Sequence, residues 1–169
     1  MNIQFEGQIQ LVAGYRIVRL PNEASIQLPS RGMVMAQVHA GSQSVIAPLE
    51  PDGKGGHWLQ LTEEIEGKPG DTVSFAVTLI KDWPKPNLPQ DMLEGITAAG
   101  LLDVWDDLTV KAQWEWLRWM RATNNPATRK KRILVACSKL QAGERRPCCF
   151  NSASCTVMEV SKSGVLMDA

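Results

Sequence analysis

The chain has 169 residues, of which 44% are hydrophobic and 21% are charged, and its formal net charge is zero. This composition is typical of a soluble globular protein whose core is large enough to need no stabilising disulfide or metal. No run of 18 apolar residues occurs, so we expect no membrane insertion. The first ten residues lack the basic start and apolar stretch of a secretory signal, which predicts a cytoplasmic protein.

The charges are unevenly distributed along the chain. Residues 1–108 hold 7 Lys/Arg against 14 Asp/Glu, a net of −7, whereas residues 109–169 hold 11 against 4, a net of +7. One interpretation is that the two parts dock and neutralise each other. The other is that the basic part attracts an anionic ligand or a polyanion.

The N-terminal half shows the period of two that is typical of strands with one buried face. Residues of shared parity are Ile3, Phe5, Ile9 and Leu11 near the start, and Val73, Phe75, Val77 and Leu79 near the end. Four further strands are expected between them, at Tyr15–Leu20, Met33–Ala40, Val45–Leu49 and Trp58–Thr62. Six short strands separated by glycine and proline turns predict a small antiparallel β-barrel, because closure removes exposed edges.

A proline-rich segment, KDWPKPNLP at Lys81–Pro89, follows the last strand. Its three prolines exclude a helix or a central strand. We therefore expect an α+β (mainly β) fold, a six-stranded antiparallel barrel followed by a C-terminal helical part. The predicted divisions are a barrel domain at 1–82, a linker at 83–89, a helical part at 90–146 and an ordered tail at 147–169 that packs back.

Helical signals dominate after the linker. Pro89 begins a helix that ends near Ala99, before Gly100, and a short helix is expected at Leu101–Asp107. Thr109 is a suitable N-cap for a helix at Val110–Ala122. The dipeptide Asn125-Pro126 supplies a cap and a first-turn proline for the last helix, which runs to about Gln141.

The Val110–Ala122 helix has an unusually wide apolar arc. At 100° per residue the arc spans roughly 220° and leaves a narrow polar side. That polar side consists of Lys111, Glu115 and Arg118. Such a helix is expected to pack on most sides, with its tryptophans in the core. The alternative is that Trp116 and Trp119 form a stacking platform for a ring-shaped ligand or for nucleic-acid bases.

Arg129 is the most unusual polar residue, because the helical wheel places it with the apolar residues of the last helix. A buried arginine needs an acceptor, and Arg132 flanks the same face. The structural interpretation is a salt bridge, for which the candidate carboxylates are Asp91, Asp103, Asp106 and Asp107. The functional interpretation is that Arg129 and Arg132 converge on a phosphate or carboxylate ligand.

The sequence offers no catalytic residues and no cofactor motif. The glycines around Lys54 run into a strand rather than a helix, so a hairpin loop explains them better than a phosphate cradle. His57, at the end of this loop, is kept as a candidate binding residue. The four cysteines are Cys137, Cys148, Cys149 and Cys155. The lack of a secretory signal favours reduced thiols, and the alternative is a disulfide from Cys148 or Cys149 to Cys155. We expect no metal site, because these cysteines and His57 lack the standard ligand spacing.

Several segments resemble a bacterial family of unknown function, the YdeI/OmpD-associated (OmdA-like) type named for bacteriocin protection, with its N-terminal small-barrel domain. The barrel segments are GYRIVRLP, GKGGHWLQL and KPGDTVSFAVTL, and the helical segments are NLPQDMLEGI, WLRWM, NPATRKKRI and LQAGERRPCCFN. The resemblance spans about residues 3–165 and implies a barrel with appended helices and no established activity. In the family an acid usually precedes the Thr-Arg pair, whereas Ala127 does so here.

The leading functional hypothesis is a non-enzymatic protein that binds a small anion or a protein partner. Its candidate ligand-binding residues are Arg129, Arg132, Trp116, Trp119 and His57. The first alternative is nucleic-acid binding through the basic helical hairpin at 109–146. The second is an enzyme with an arginine-lined pocket.

Overall fold

A computed structural model describes all residues, 1–169, and divides the chain into two compact units. The barrel unit comprises Met1–Asp82, Ser152–Cys155 and Glu159–Ala169. The helical unit comprises Trp83–Asn151 and Thr156–Met158. The C-terminal tail thus contributes residues to both units.

The barrel unit contains the closed six-stranded antiparallel barrel that the sequence predicts. The strands are β1 (Asn2–Val12), β2 (Tyr15–Arg19), β3 (Val34–Ala40), β4 (Gln43–Pro51), β5 (His57–Gln60) and β6 (Thr72–Leu79). Their order around the barrel is β1-β2-β5-β4-β3-β6, and β6 pairs with β1 to close it. A single helical turn, α1 (Asn22–Ser25), follows β2.

Apolar side chains from all six strands fill the barrel interior. Phe5 and Phe75 are direct partners in the β1–β6 register, and their rings stack with centroids 5.3 Å apart. Aromatic pairs of this kind add to the stabilisation that their buried area provides. The alternation that predicted β1 and β6 therefore reflects a filled apolar core.

The inward-facing parity of β1 changes near its end. Ile3, Phe5 and Ile9 are buried, but Leu11 is 49% exposed and Val12 is buried instead. β1 pairs with β6 up to residue 8 and with β2 from residue 9 onward. The alternation is interrupted at residues 10 and 11, just after this change of partner. The prediction that Leu11 faces the core is therefore wrong.

The C-terminal tail forms a small hairpin within the barrel unit. Its strands are β7 (Ser161–Lys162) and β8 (Val165–Leu166), which pair only with each other. The Leu166 N–H donates to the Asp52 carbonyl at 2.9 Å, and Arg19 Nη2 donates to the Met167 carbonyl at 2.6 Å. These bonds attach the hairpin to the β4–β5 loop and to β2.

The helical unit contains four helices at the expected positions: α2 (Gln90–Ala98), α3 (Leu102–Asp107), α4 (Val110–Arg121) and α5 (Pro126–Gln141). Both predicted N-caps are made. Thr109 Oγ1 accepts from the Ala112 N–H at 3.1 Å, and Asn125 Oδ1 accepts from the Ala127 N–H at 2.9 Å. None of the five helices of the chain has the length and apolar character needed to cross a bilayer.

The polar side of α4 is partly covered by another segment of the chain. Lys111 is exposed, but Arg118 is only 3% exposed, and its guanidinium lies 5.1 Å from the ring centre of Phe150. The segment that follows α5 contacts this side of the helix, since Arg146 also pairs with Glu115 there. A helical wheel shows that this side is polar, but it contains no information about the distant chain segment that covers it.

Candidate functional site

Three of the five candidate residues contact one another in the helical unit. Trp116 on α4 is fully buried, and its indole N–H donates to the Arg145 carbonyl at 3.0 Å. Its ring meets that of Trp119 edge-on, with the centroids 6.2 Å apart and the planes at 89°. The guanidinium of Arg132, on α5, lies 5.2 Å from the ring centre of Trp119.

Two uncharged groups of Trp119, its ring and its backbone carbonyl, fix the orientation of Arg132. Besides its position over the half-buried Trp119 ring, Arg132 donates through Nη1 to the Trp119 carbonyl at 2.7 Å. A guanidinium carries five N–H donors in a rigid fork, so this bond leaves most of them for other acceptors. An arginine held in this way is suited to binding a carboxylate or a phosphate.

Arg129 has a different partner. Its Nε and Nη2 donate to the two carboxylate oxygens of Asp91, at 2.6 and 2.9 Å. The side chain of Arg129 is 28% exposed and that of Asp91 is 47% exposed. The hydrogen bonds from Arg129 lower the pKa of the Asp91 carboxyl below its ordinary value. The pair is the salt bridge of the structural interpretation, and the geometry does not bring Arg129 and Arg132 onto one shared acceptor.

We predict that Arg129→Ala lowers the free energy of unfolding by about 1 kcal/mol, because water can rehydrate the half-exposed carboxylate it leaves behind. A fully buried pair would instead cost roughly 3–5 kcal/mol. Urea denaturation of the wild type, Arg129→Ala, Asp91→Asn and the double variant gives the coupling energy. Lys130→Ala, at an exposed neighbour, is the control and should change little. A loss of 3 kcal/mol or more in the Arg129 variant would contradict the prediction.

His57 belongs to the barrel unit and is only 1% exposed. Its Nε2 lies 2.8 Å from the Gly32 carbonyl, and its Nδ1 lies 2.7 Å from the Ser25 hydroxyl. Because a carbonyl can only accept, Nε2 carries the proton and Nδ1 accepts from the hydroxyl. Both ring nitrogens of the neutral imidazole are thus satisfied. Burial is the main cause that lowers the pKa of His57.

No local sequence signal predicts the Ser25–His57 pair, because the two residues are 32 positions apart. A hydroxyl bonded to an imidazole is an arrangement that nucleophilic catalysts use. Here, however, both side chains are buried, and Nε2 bonds a backbone carbonyl instead of an orienting carboxylate. Arg31 also donates to the carbonyls of Ser25 and Gly55, at 2.7 and 2.9 Å. The network therefore fastens α1 and the following loop to β5 and supports a structural role for His57.

We predict that stability decreases as the pH falls below about 6.5, the ordinary pKa of an unfolded histidine. The folded protein holds His57 neutral, because its pKa is lowered, so the unfolded chain binds more protons in this range. The free energy of unfolding therefore rises with pH. The contribution of His57 is fully present above that pH and is lost as the pH falls toward the lowered pKa of the folded state.

Urea denaturation on both sides of this pH checks the prediction. His57→Gln should remove most of the difference between the two conditions. His39→Gln changes the other histidine of the chain, which is exposed, and should preserve the difference. An equal pH dependence in the wild type and the His57 variant would contradict the assignment.

Two domain families match consecutive parts of the chain. Residues 4–77 match the domain of unknown function DUF1905, and residues 86–143 match the family described as bacteriocin-protection, YdeI or OmpD-associated. A comparison with curated proteins gives no match. The first match coincides with the barrel and the second contains α2 to α5. The chain is therefore a fusion of a DUF1905 barrel domain with a helical domain of the YdeI/OmpD-associated family.

Proposed function

We propose that this protein is a non-enzymatic binding protein whose helical unit recognises an anionic group, a carboxylate or a phosphate, through Arg132. The observation that carries the proposal is the fixed position of Arg132 over Trp119, with a single hydrogen bond to the protein at Trp119 O. A preorganised guanidinium loses little conformational freedom on binding, so more of the interaction energy contributes to affinity. Trp116 supports the site by packing edge-on against Trp119.

The charge surroundings favour Arg132 over three other arginines of the unit. Carboxylates neutralise these three: Asp91 pairs with Arg129, Asp107 with Arg145 and Glu115 with Arg146. Arg132 instead contacts an aromatic ring and a backbone carbonyl, neither of which carries a net charge. Its charge therefore remains for a ligand, and a half-buried position strengthens the attraction because solvent screens it less.

The anionic group has two sources, a small molecule or an acidic side chain of a partner protein. The bacteriocin-protection description of the matched helical family is compatible with either source. We favour a small ligand, because Arg132 is only half-exposed. An isolated carboxylate or phosphate reaches such a position more easily than a group fixed on a protein surface.

Thermal melting with a panel of anions tests this proposal. Phosphate, sulfate, citrate and acetate are compared with sodium chloride at constant ionic strength. A ligand that binds only the folded state should raise the melting temperature progressively, by an amount equivalent to about 2.7 kcal/mol at a hundred times its dissociation constant. Arg132→Gln should abolish the rise, and Arg132→Lys should reduce it, because lysine lacks the planar fork. Lys131→Gln removes the same charge at an exposed neighbour and is the matched control.

Two outcomes would overturn the proposal. An equal rise in melting temperature in the Arg132 and Lys131 variants would show that the stabilisation by anions depends only on the general positive charge of α5. Binding of a labelled oligonucleotide whose affinity falls steeply with salt would instead support nucleic-acid recognition through the basic hairpin. In that case the loss of affinity should be similar for the Lys131 and Arg132 variants, since each would remove one phosphate contact.

A further inference from the structure

Two adjacent thiols lie next to each other on the surface of the helical unit. Cys148 and Cys149 are both exposed, and their sulfur atoms are 3.3 Å apart, within hydrogen-bonding distance. Cys149 adopts a φ of 64°, in the left-handed region that side chains other than glycine rarely occupy. The other two cysteines, Cys137 and Cys155, are buried. The chain thus has one accessible pair of thiols.

The loop that carries this pair is anchored on both sides. Before it, the Arg145 carbonyl accepts from the Trp116 indole, and the side chains of Arg145 and Arg146 pair with Asp107 and Glu115. After it, the ring of Phe150 lies under the guanidinium of Arg118. These contacts hold the backbone in place on each side of the two thiols. The sulfurs are therefore kept together by the fold, not only by their adjacency in the sequence.

The separation of the sulfurs indicates which chemistry suits them. A tetrahedral zinc ion with bonds of about 2.3 Å would need sulfurs about 3.8 Å apart and two more ligands. No group of three or more His, Cys, Asp or Glu side chains is arranged to hold a metal. A direct disulfide is unfavourable, because neighbouring Cα atoms are about 3.8 Å apart and disulfides usually need at least about 4.4 Å. A bridging atom that bonds to both sulfurs avoids both difficulties.

We propose that Cys148 and Cys149 form a two-thiol site for trivalent organoarsenicals and related electrophiles that bond to two sulfurs. Trivalent arsenic is pyramidal, with bond angles close to a right angle, so it bridges sulfurs that are close together. An organoarsenical brings its own carbon substituent and needs no third ligand from the protein. In the reaction of R–As(OH)₂ with the pair, two As–S bonds form and two As–O bonds break. Each hydroxide leaves as water with one thiol proton, and no atom is oxidised or reduced.

The test uses the reduced full-length protein and phenylarsine oxide, with the adduct followed by intact-protein mass spectrometry. One arsenical should add per chain, with loss of the two accessible thiols. The adduct should survive an excess of a monothiol and be removed by a 1,2-dithiol, because only a dithiol competes with a chelate. Peptide mapping should locate the arsenic on the segment that contains Cys148 and Cys149.

Single substitutions separate chelation from simple thiol reactivity. Cys148→Ser and Cys149→Ser should each retain the fold, since both residues are exposed, and each should lose its adduct to a monothiol. An adduct that survives the monothiol in either variant would overturn the proposal. So would an adduct mapped to Cys137 or Cys155, or the absence of an adduct on wild-type protein whose exposed thiols are shown to be free.

Discussion

Replacing Trp116 by alanine should lower the free energy of unfolding by about 3–5 kcal/mol, the usual cost of deleting a large buried aromatic side chain. Trp116 is fully buried among the apolar residues of α2 to α5. Its loss also leaves the Arg145 carbonyl without its indole donor and removes the ring that supports Trp119. Arg132 should then lose its fixed position, so the same variant should weaken any anion response.

Trp114→Ala is the matched control for this prediction. Trp114 lies on the same helix and also donates its indole N–H to a carbonyl, that of Pro84 at 2.8 Å, but it is only half-buried. Its replacement should lower the free energy of unfolding clearly less than Trp116→Ala does, and it should leave the stabilisation by anions unchanged. Urea denaturation followed by circular dichroism measures both variants. Equal losses for the two tryptophans would contradict the packing described for Trp116.

The second large effect is expected for Gly53→Ala in the barrel unit. Gly53 has a φ of 83°, a conformation that costs an L-amino acid about 1–2 kcal/mol. An added Cβ would also overlap the carbonyl oxygen of Gly164 and lie 3.0 Å from the Cα of Val165. Both neighbours are backbone atoms, which cannot rotate away. The free energy of unfolding of the variant should therefore fall by at least about 2 kcal/mol more than the backbone strain alone explains. The alternative result is that the tail hairpin is released from the barrel.

Gly55→Ala distinguishes overlap from strain, because Gly55 has a φ of 87° in the same loop and no neighbouring atom within 4 Å of the added Cβ. We expect a loss of about 1 kcal/mol there. Denaturation gives the two stabilities, and limited proteolysis of residues 159–169 reports release of the hairpin. Similar behaviour in both variants would show that the hairpin does not contact Gly53 in solution.

Local sequence signals predict the elements of this fold well. Alternation and turn residues predict the six strands, because a filled barrel buries every second side chain. Thr109 and Asn125 mark the starts of α4 and α5, because their side chains satisfy N–H groups that a helix leaves unpaired. In each case the residues that carry the signal are close together in the chain, so the sequence contains the physical cause.

The sequence fails where distant segments decide the outcome. Arg118 is buried because residues beyond α5 cover its side of α4, and Leu11 is exposed although it shares the parity of the buried Ile9. The hydroxyl that binds His57 comes from Ser25, 32 residues earlier. Periodicity gives the direction of a side chain, but it does not identify which group meets it there. The same limit explains why Arg129 and Arg132 share a face on the helical wheel but have different partners in the structure.

The most direct measurement of the central claim is the ¹⁵N–¹H spectrum of the arginine side chains during a phosphate titration. Arg132→Gln and Arg129→Gln assign the two signals. We predict that the Nε–H signal of Arg132 shifts saturably as phosphate binds, while that of Arg129, already bonded to Asp91, stays nearly constant. Equal, non-saturating shifts of all exposed arginines, or no shift of Arg132, would contradict the assignment of an anion site to the helical unit.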